Sequence, residues 1–198
     1  MRTERLCAFT DGVIAIIITI MVLELKVPHG TDLSALSPLL PVLLTYLLSF
    51  VVLGIYWNNH HHMFALTDRI TGGILWANLH LLFWLSLMPF VTGWMGENHF
   101  APLPTALYGA VLFMSGSAYY VLETTIIRSQ GENSKLRAAV GGETKGKVSV
   151  LMYAVAIPLA FVNQLISDAV YVSVTLMWLI PDRRIEGLFE EAAAEKGR

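Results

Sequence analysis

The sequence predicts an all-α, polytopic membrane protein with six transmembrane helices. Hydrophobic residues make up 55% of the 198 residues and charged residues only 14%, and the mean hydropathy is +0.60. Too few polar side chains are present to coat a water-soluble globule, so lipid must cover much of the surface. Apolar runs of about 20 residues, the length a helix needs to cross a ~30 Å hydrocarbon core, recur along the chain. Lysine and arginine cluster in alternate connections between those runs, as they do where cytoplasmic loops hold the excess.

The first run is Leu6–Leu25. It carries Asp11 and Glu24, and no small-residue cleavage site follows, so it reads as a retained helix rather than a removable signal. Leu36–Trp57, Leu75–Trp94 and Thr105–Ile127 are the second, third and fourth spans. A connection rich in glycine and charge, Ser129 to Lys147, follows as a cytoplasmic loop. The apolar stretch Val148–Ile180 is too long for one crossing and is broken by Asn163-Gln164 and Ser167-Asp168. It reads as two short helices in a tight hairpin, although one long tilted helix or a re-entrant segment fits the same residues. Residues 1–181 therefore form one transmembrane domain, and 182–198, with Glu186, Glu190, Glu191 and an alanine run, form a short cytoplasmic tail.

The basic residues test this layout. Inside fall Arg2, Arg5, Arg69, Arg128, Lys135, Arg137, Lys145, Lys147, Arg183, Arg184, Lys196 and Arg198, and outside falls Lys26 alone. Twelve against one places both termini in the cytoplasm, and Arg183-Arg184 directly after the last apolar run requires an even number of crossings. Asp32, Glu97 and Asp168 lie outside, where they make the outer mouth mildly negative or serve as ordinary loop charges, Asp168 as an N-cap of the last helix.

Several functions are excluded or disfavoured. Thirteen basic against fifteen acidic residues give a net charge of −2, without the basic field a nucleic-acid partner needs. The lone Cys7 can form no internal disulfide or thiolate cluster. His60-His61-His62 tempts a metal assignment, but adjacent helical residues point about 100° apart and cannot share one ion. Gly-x-Ser-x-Gly and His-Glu-x-x-His are both missing, so no enzyme is expected, and no cofactor.

The first helix carries the functional signal. Asp11 sits near the cytoplasmic end of an otherwise apolar span, where a carboxylate is expensive and turns to a partner. Ile16, Thr19, Ile20 and Leu23 share one stripe, and Asp11 lies about 140° around the helix from Ile16. Periodicity alone leaves open whether that stripe is a packing face and Asp11 a structural hydrogen-bonding group. His80, Asn78 and Glu123 are further intramembrane polar groups that need partners. A hydrogen bond to Asp11 is expected from Trp57 or Asn58 together with one of the histidines, and Asn78 is expected to join them. Glu24, at the outer end, is placed to attract cations.

Arg5, three intervening residues, Phe9-Thr10-Asp11 and an Ile-Thr-Leu-rich run ending in Leu23-Glu24-Leu25 resemble the first-helix signature of the transmembrane-175 family of potassium channels. The resemblance extends to Tyr56-Trp57-Asn58-Asn59-His60 and to Asn78-Leu79 with Pro89-Phe90, and covers the six-span layout. Thr10 stands where the family has serine, which keeps the hydroxyl and adds a methyl. The resemblance implies a homotetramer whose first helices line a central pore in a prokaryotic plasma membrane. Ile16 would form the narrowest hydrophobic ring, Ile20 and Leu23 further rings, and Thr19 hydroxyls near the constriction. Arg5, Phe9, Thr10, Asp11, Trp57, Asn58, His60 and Asn78 would hold structure and gating. Asp11 would point away from the pore, toward the second and third helices. The expected partners are further copies of the chain, the bilayer and permeant K+ or other monovalent cations.

No Thr-Val-Gly-Tyr-Gly filter is present, and Thr92-Gly93-Trp94 reads as a helix end, so K+ selectivity is expected to be modest. The alternative is an ion- or proton-coupled carrier with Asp11, His80 and Glu123 as a relay, against which stands the lack of paired repeats.

Overall fold

A computed structural model describes residues 3–67, 69–131, 134–140 and 144–179. Among these, every regular element is helical. α1 (Thr3–Met21) runs into a 3₁₀ turn, Val22–Glu24, and a second 3₁₀ segment, Leu33–Leu39, leads into α2 (Leu40–Ala65). α3 (Gly72–Ser86) and α4 (Met88–Glu97) follow, then α5 (Pro102–Gln130), the short α6 (Lys135–Val140), α7 (Lys145–Leu159) and α8 (Gln164–Leu179). Four stretches are long and apolar enough to cross a membrane: Thr3–Glu24, Leu33–Ala65, Gly72–Glu97 and Pro102–Gln130. They coincide with the four apolar runs. The tail 182–198 and its basic residues, with Arg2, lie outside the described residues.

The third span is interrupted at Leu87 rather than continuous. Pro89 stands near the start of α4, has no amide hydrogen, and its ring would collide with a carbonyl of the preceding turn. The chain tightens locally, with the Leu87 amide donating to the Trp84 carbonyl (3.2 Å), and resumes when the Val91 amide reaches Leu87 (3.1 Å).

The stretch from Val148 to Leu179 is a hairpin. α7 closes just after Pro158, the turn is drawn in by the Asn163 amide on the Leu159 carbonyl (2.8 Å), and α8 begins at Gln164. Ser167 donates to the Ala156 carbonyl (2.8 Å) near the turn, and Trp178 donates to the Ser149 hydroxyl (2.8 Å) at the open end. The break falls at residues 160–163, so Ser167-Asp168 lies within α8. At 15 and 16 residues, α7 and α8 are roughly 22 and 24 Å long, shorter than a full hydrocarbon core.

α5 is the central helix, packing on α3, α4, α7 and α8, while α1 packs on α2, α3 and α4. The core between them is built from Leu81, Leu85, Met88, Tyr108, Leu112 and Leu122, all essentially inaccessible. Lipid gives helices no hydrophobic reason to associate, so close backbone approach at small residues does the work. A Cβ on Gly96 would lie 2.6 Å from the Val42 Cα, so α4 meets α2 almost backbone to backbone. Gly109 likewise accepts the Tyr171 ring, whose Cζ would be 2.7 Å from an added Cβ.

Gly96→Ala should therefore destabilise the fold by ~1–3 kcal/mol, because the obstructing atom belongs to backbone. Gly54→Ala, where an added Cβ meets nothing within 4 Å, should be neutral or slightly stabilising. Thermal unfolding of the detergent-solubilised protein compares the two, and equal effects would contradict the close-approach account.

Candidate functional site

α1 has two faces of different chemistry. Leu6, Thr10, Ile14, Ile17 and Met21 recur at helical spacing and are buried against α2, α3 and α4. The opposite face carries Phe9, Ile16, Thr19 and Ile20, and Ile16 is 59% and Ile20 44% exposed. Leu23, at 76% exposure, belongs to the 3₁₀ turn rather than to α1, so the regular helix expected through Leu25 ends at Met21. The Thr19 hydroxyl donates within its own helix, to the Ala15 and Ile16 carbonyls (3.0 and 2.9 Å).

What sets this rotation is a buried hydrogen-bonded chain across three helices. The Asn78 amide of α3 donates to the Thr10 hydroxyl of α1 (2.9 Å), and Asn78 Oδ1 accepts from His60 Nε2 of α2 (2.9 Å). Since Asn78 Oδ1 can only accept, the proton sits on Nε2. Thr10 and Asn78 are fully buried and His60 nearly so, with its ring 4.4 Å from that of Phe64. Asp11 lies at the edge of this cluster and accepts from the Trp57 indole (3.0 Å).

The indole bond accords with one of the partners anticipated for Asp11, and it turns the carboxylate to α2. The other expected members do not join it. Asn78 and His60 bond to each other and to Thr10, and no hydrogen bond among the described residues links them to Asp11. Asn58 and Arg5 are exposed, and neither makes a hydrogen bond or ion pair there. The hydroxyl kept by threonine at position 10 is the acceptor that Asn78 needs. A second polar cluster escaped sequence reading: the Ser49 hydroxyl lies 2.7 Å from that of Thr92 and 3.0 Å from that of Tyr108, all buried. Mid-span hydroxyls were its only sequence signal.

The remaining polar residues scatter. Thr92-Gly93-Trp94 lies inside α4 rather than at its end, with Thr92 held by Ser49. His61 is exposed while His60 is buried, so the histidine triplet diverges. His80 accepts from Trp84 one turn on (3.0 Å) and Asp11 from Trp57 of α2, so these two members of the proposed relay turn to different partners. Lys26 forms an ion pair with Glu97, whose carboxylate holds the ammonium above its usual range. Glu24 packs its carboxylate on Gly93 of α4, away from the exposed stripe of α1. Asp168 is the fifth residue of α8 and caps nothing; Asn163 does that work, its side chain accepting from the Leu165 amide (3.0 Å).

Comparison with known proteins fits this geometry. A potassium channel of Chryseobacterium sp. is 54% identical over 191 residues, covering 96% of this chain and 100% of the relative. The chain belongs to the TMEM175 family. The family model, described as the endosomal/lysosomal potassium channel TMEM175, matches residues 5–89, from the first turn of α1 to the start of α4. The crystal structure of a lysosomal potassium-selective channel TMEM175 homolog from Chamaesiphon minutus superposes with a TM-score of 0.78 at 27% identity, covering 89% of this chain and 96% of that one. The endosomal/lysosomal proton channel TMEM175 of Gallus gallus is 28% identical over 159 residues, 72% of this chain but 32% of its own length. This TMEM175 family member is thus an integral membrane protein whose matched region contains Thr10, Asp11, Trp57, His60 and Asn78.

Thr10→Val should strand the buried Asn78 amide and destabilise the protein by ~1–3 kcal/mol, whereas Thr10→Ser should stay within about 1 kcal/mol of the parent. Thermal unfolding in detergent measures both, and equal losses would mean that the hydroxyl contributes nothing.

Proposed function

We propose that the protein is one subunit of a potassium-permeable channel, in which four copies surround a pore lined by α1. In this reading residues 1–181 form a single channel domain in a prokaryotic plasma membrane. α7 and α8 complete six crossings, and both termini, with the tail 182–198, are cytoplasmic. The observation that carries it is the uncovered face of α1. In a family of channels, a helix flanked by three neighbours on one side presents Ile16, Thr19 and Ile20 on the other. A chain of this size has no means of enclosing a pore alone, so closure requires further copies related by rotation. The relatives named as potassium channels support the choice of ion.

The chemistry follows from those side chains. Four Ile16 side chains in one ring make a constriction without a polar atom, and a dry apolar ring excludes both water and bare cations. Ile20, one turn and about 6 Å further along, and Leu23 would thicken the barrier. Conduction then requires α1 to tilt or rotate until the ring wets. The Thr19 hydroxyl hydrogens are committed to backbone carbonyls, which leaves oxygen lone pairs to face a passing cation. With no carbonyl-lined filter, discrimination rests on ring width and on these oxygens. No cofactor is involved beyond the permeant ions, and no bond is made or broken.

Single-channel recording of the purified protein in a planar bilayer under a potassium gradient tests this. Native currents should reverse toward the potassium potential, and Ile16→Ala should raise basal current or lower K+ over Na+ selectivity. Asp11→Asn should leave the unitary conductance unchanged, since Asp11 faces Trp57. Silence in every variant, with slow saturable flux in vesicles, would instead mean a carrier.

A further inference from the structure

A cavity of about 500 Å³ lies between α2, α5, α7 and α8, and α1 contributes nothing to its wall. That volume is in the range of small-ligand sites. Its deep part is lined by Val52, Ile55, Gly116, Val150 and the ring of Tyr153. Tyr120 and Val121, on the lining of α5, are 52% and 44% exposed, so the cavity opens sideways at the outer surface of the helices. Its other end reaches Asn59, Glu123, Gly146 and Lys147, at the level of the first turn of α7.

Several polar groups of the wall are satisfied internally. The Ser149 hydroxyl donates to the Lys145 carbonyl and accepts from Trp178, while those of Ser117 and Thr175 donate within their own helices. The Tyr119 hydroxyl donates to the Asn59 carbonyl (3.3 Å). Other lining groups are not so held: the Asn59 carboxamide and the Tyr120 and Tyr153 hydroxyls make no hydrogen bond among the described residues. The deep wall of Val52, Ile55, Gly116 and Val150 carries no polar side chain, and such a wall suits an apolar guest. The Tyr56 hydroxyl, bordering Gly116, makes no hydrogen bond among the described residues. Lys147 is exposed at the mouth and makes no ion pair among the described residues, and Glu123, at the same end, has a partner within the protein. The exposed charge at the mouth is the Lys147 ammonium, and Glu123 is partly buried.

We propose that this cavity is a binding site for an anionic phospholipid of the adjoining leaflet. One acyl chain lies along Val52, Ile55 and Val150, the phosphate sits at the Lys147 ammonium, and an ester carbonyl accepts from Tyr56. Tyr56 is nearly one helical turn deeper than Asn59, about 5 Å, which suits an ester below a phosphate. Basic pockets between transmembrane helices recognise such headgroups. Occupancy also braces α2 from behind, because Trp57 and His60, beside Tyr56 and Asn59, hold α1 on its other side. The proposal rests on the chain spanning the membrane and not on its conducting potassium.

Native mass spectrometry of the purified full-length protein in detergent tests it, titrated with phosphatidylglycerol or with phosphatidylcholine of the same acyl chains. One phosphatidylglycerol per subunit should bind, about fivefold more tightly than phosphatidylcholine, the fold-change expected from one lysine. Lys147→Gln should remove that preference, and Gly116→Leu, filling the deep end, should remove binding of both lipids. An added Cβ at Gly116 meets only ordinary contacts at 3.5 and 3.7 Å. If Gly116→Leu nevertheless fails to fold, Val121→Trp blocks the same cavity from its exposed side. Equal binding of the two lipids to the parent protein, or binding unchanged by Lys147→Gln or by the filling variants, would overturn the proposal. Potassium flux measured on the same preparations separates this result from the channel reading, since a protein that does not conduct can still retain the lipid.

Discussion

Hydrocarbon offers no hydrogen bonds, so each polar side chain within a span must find its partner in the protein. In this structure that constraint is met at the Thr10–Asn78–His60 chain, and the position of α1 depends on it. Apolar packing alone would tolerate many rotations of a helix as hydrophobic as α1, because isoleucine lies on both of its faces. A buried carboxamide that must both donate and accept tolerates only one. Once Thr10 is turned inward to meet Asn78, Phe9, Ile16 and Ile20 turn outward by helical geometry.

Asp11 adds a second latch of different character. Its bond to Trp57 lies at the rim of the cluster, where the carboxylate remains exposed. Both latches reach α2 within one turn, at Trp57 and His60. α2 in turn meets α4 through the close approach at Gly96 and Val42, and its other side forms part of the wall of the cavity it shares with α5, α7 and α8. Movement of α1 of the kind a hydrophobic gate requires would therefore be felt first along α2. Polar contacts of this kind are directional, so they suit two discrete arrangements better than a continuous slide.

The hairpin of α7 and α8 shows the same economy. A serine or tryptophan near each end ties the two helices, and the turn between them is closed by Asn163 capping α8 while Pro158 ends α7. Helices of 15 and 16 residues bury less surface than the long spans, and these side-chain bonds supply the register that length does not. Glycine serves the opposite end of the size scale, letting Tyr171 of α8 lie on α5 at Gly109.

Composition and periodicity determined much of this protein. The four long spans and the hairpin are legible in the sequence, because each depends on apolar length and local breaks, and helical spacing put Ile16, Thr19 and Ile20 on one stripe of α1 without deciding whether that stripe packs or stays open. The likeness of residues 5 to 11 to a channel signature was equally local. Tertiary structure decided the pairings. Asn78 meets Thr10 rather than Asp11, Asp168 sits within α8 rather than at its cap, and Ser49 joins Thr92 and Tyr108. Each of these residues has several acceptable partners by chemistry alone. Which one it takes depends on the relative depth and rotation of helices far apart in the chain, and those are set only when the helices pack.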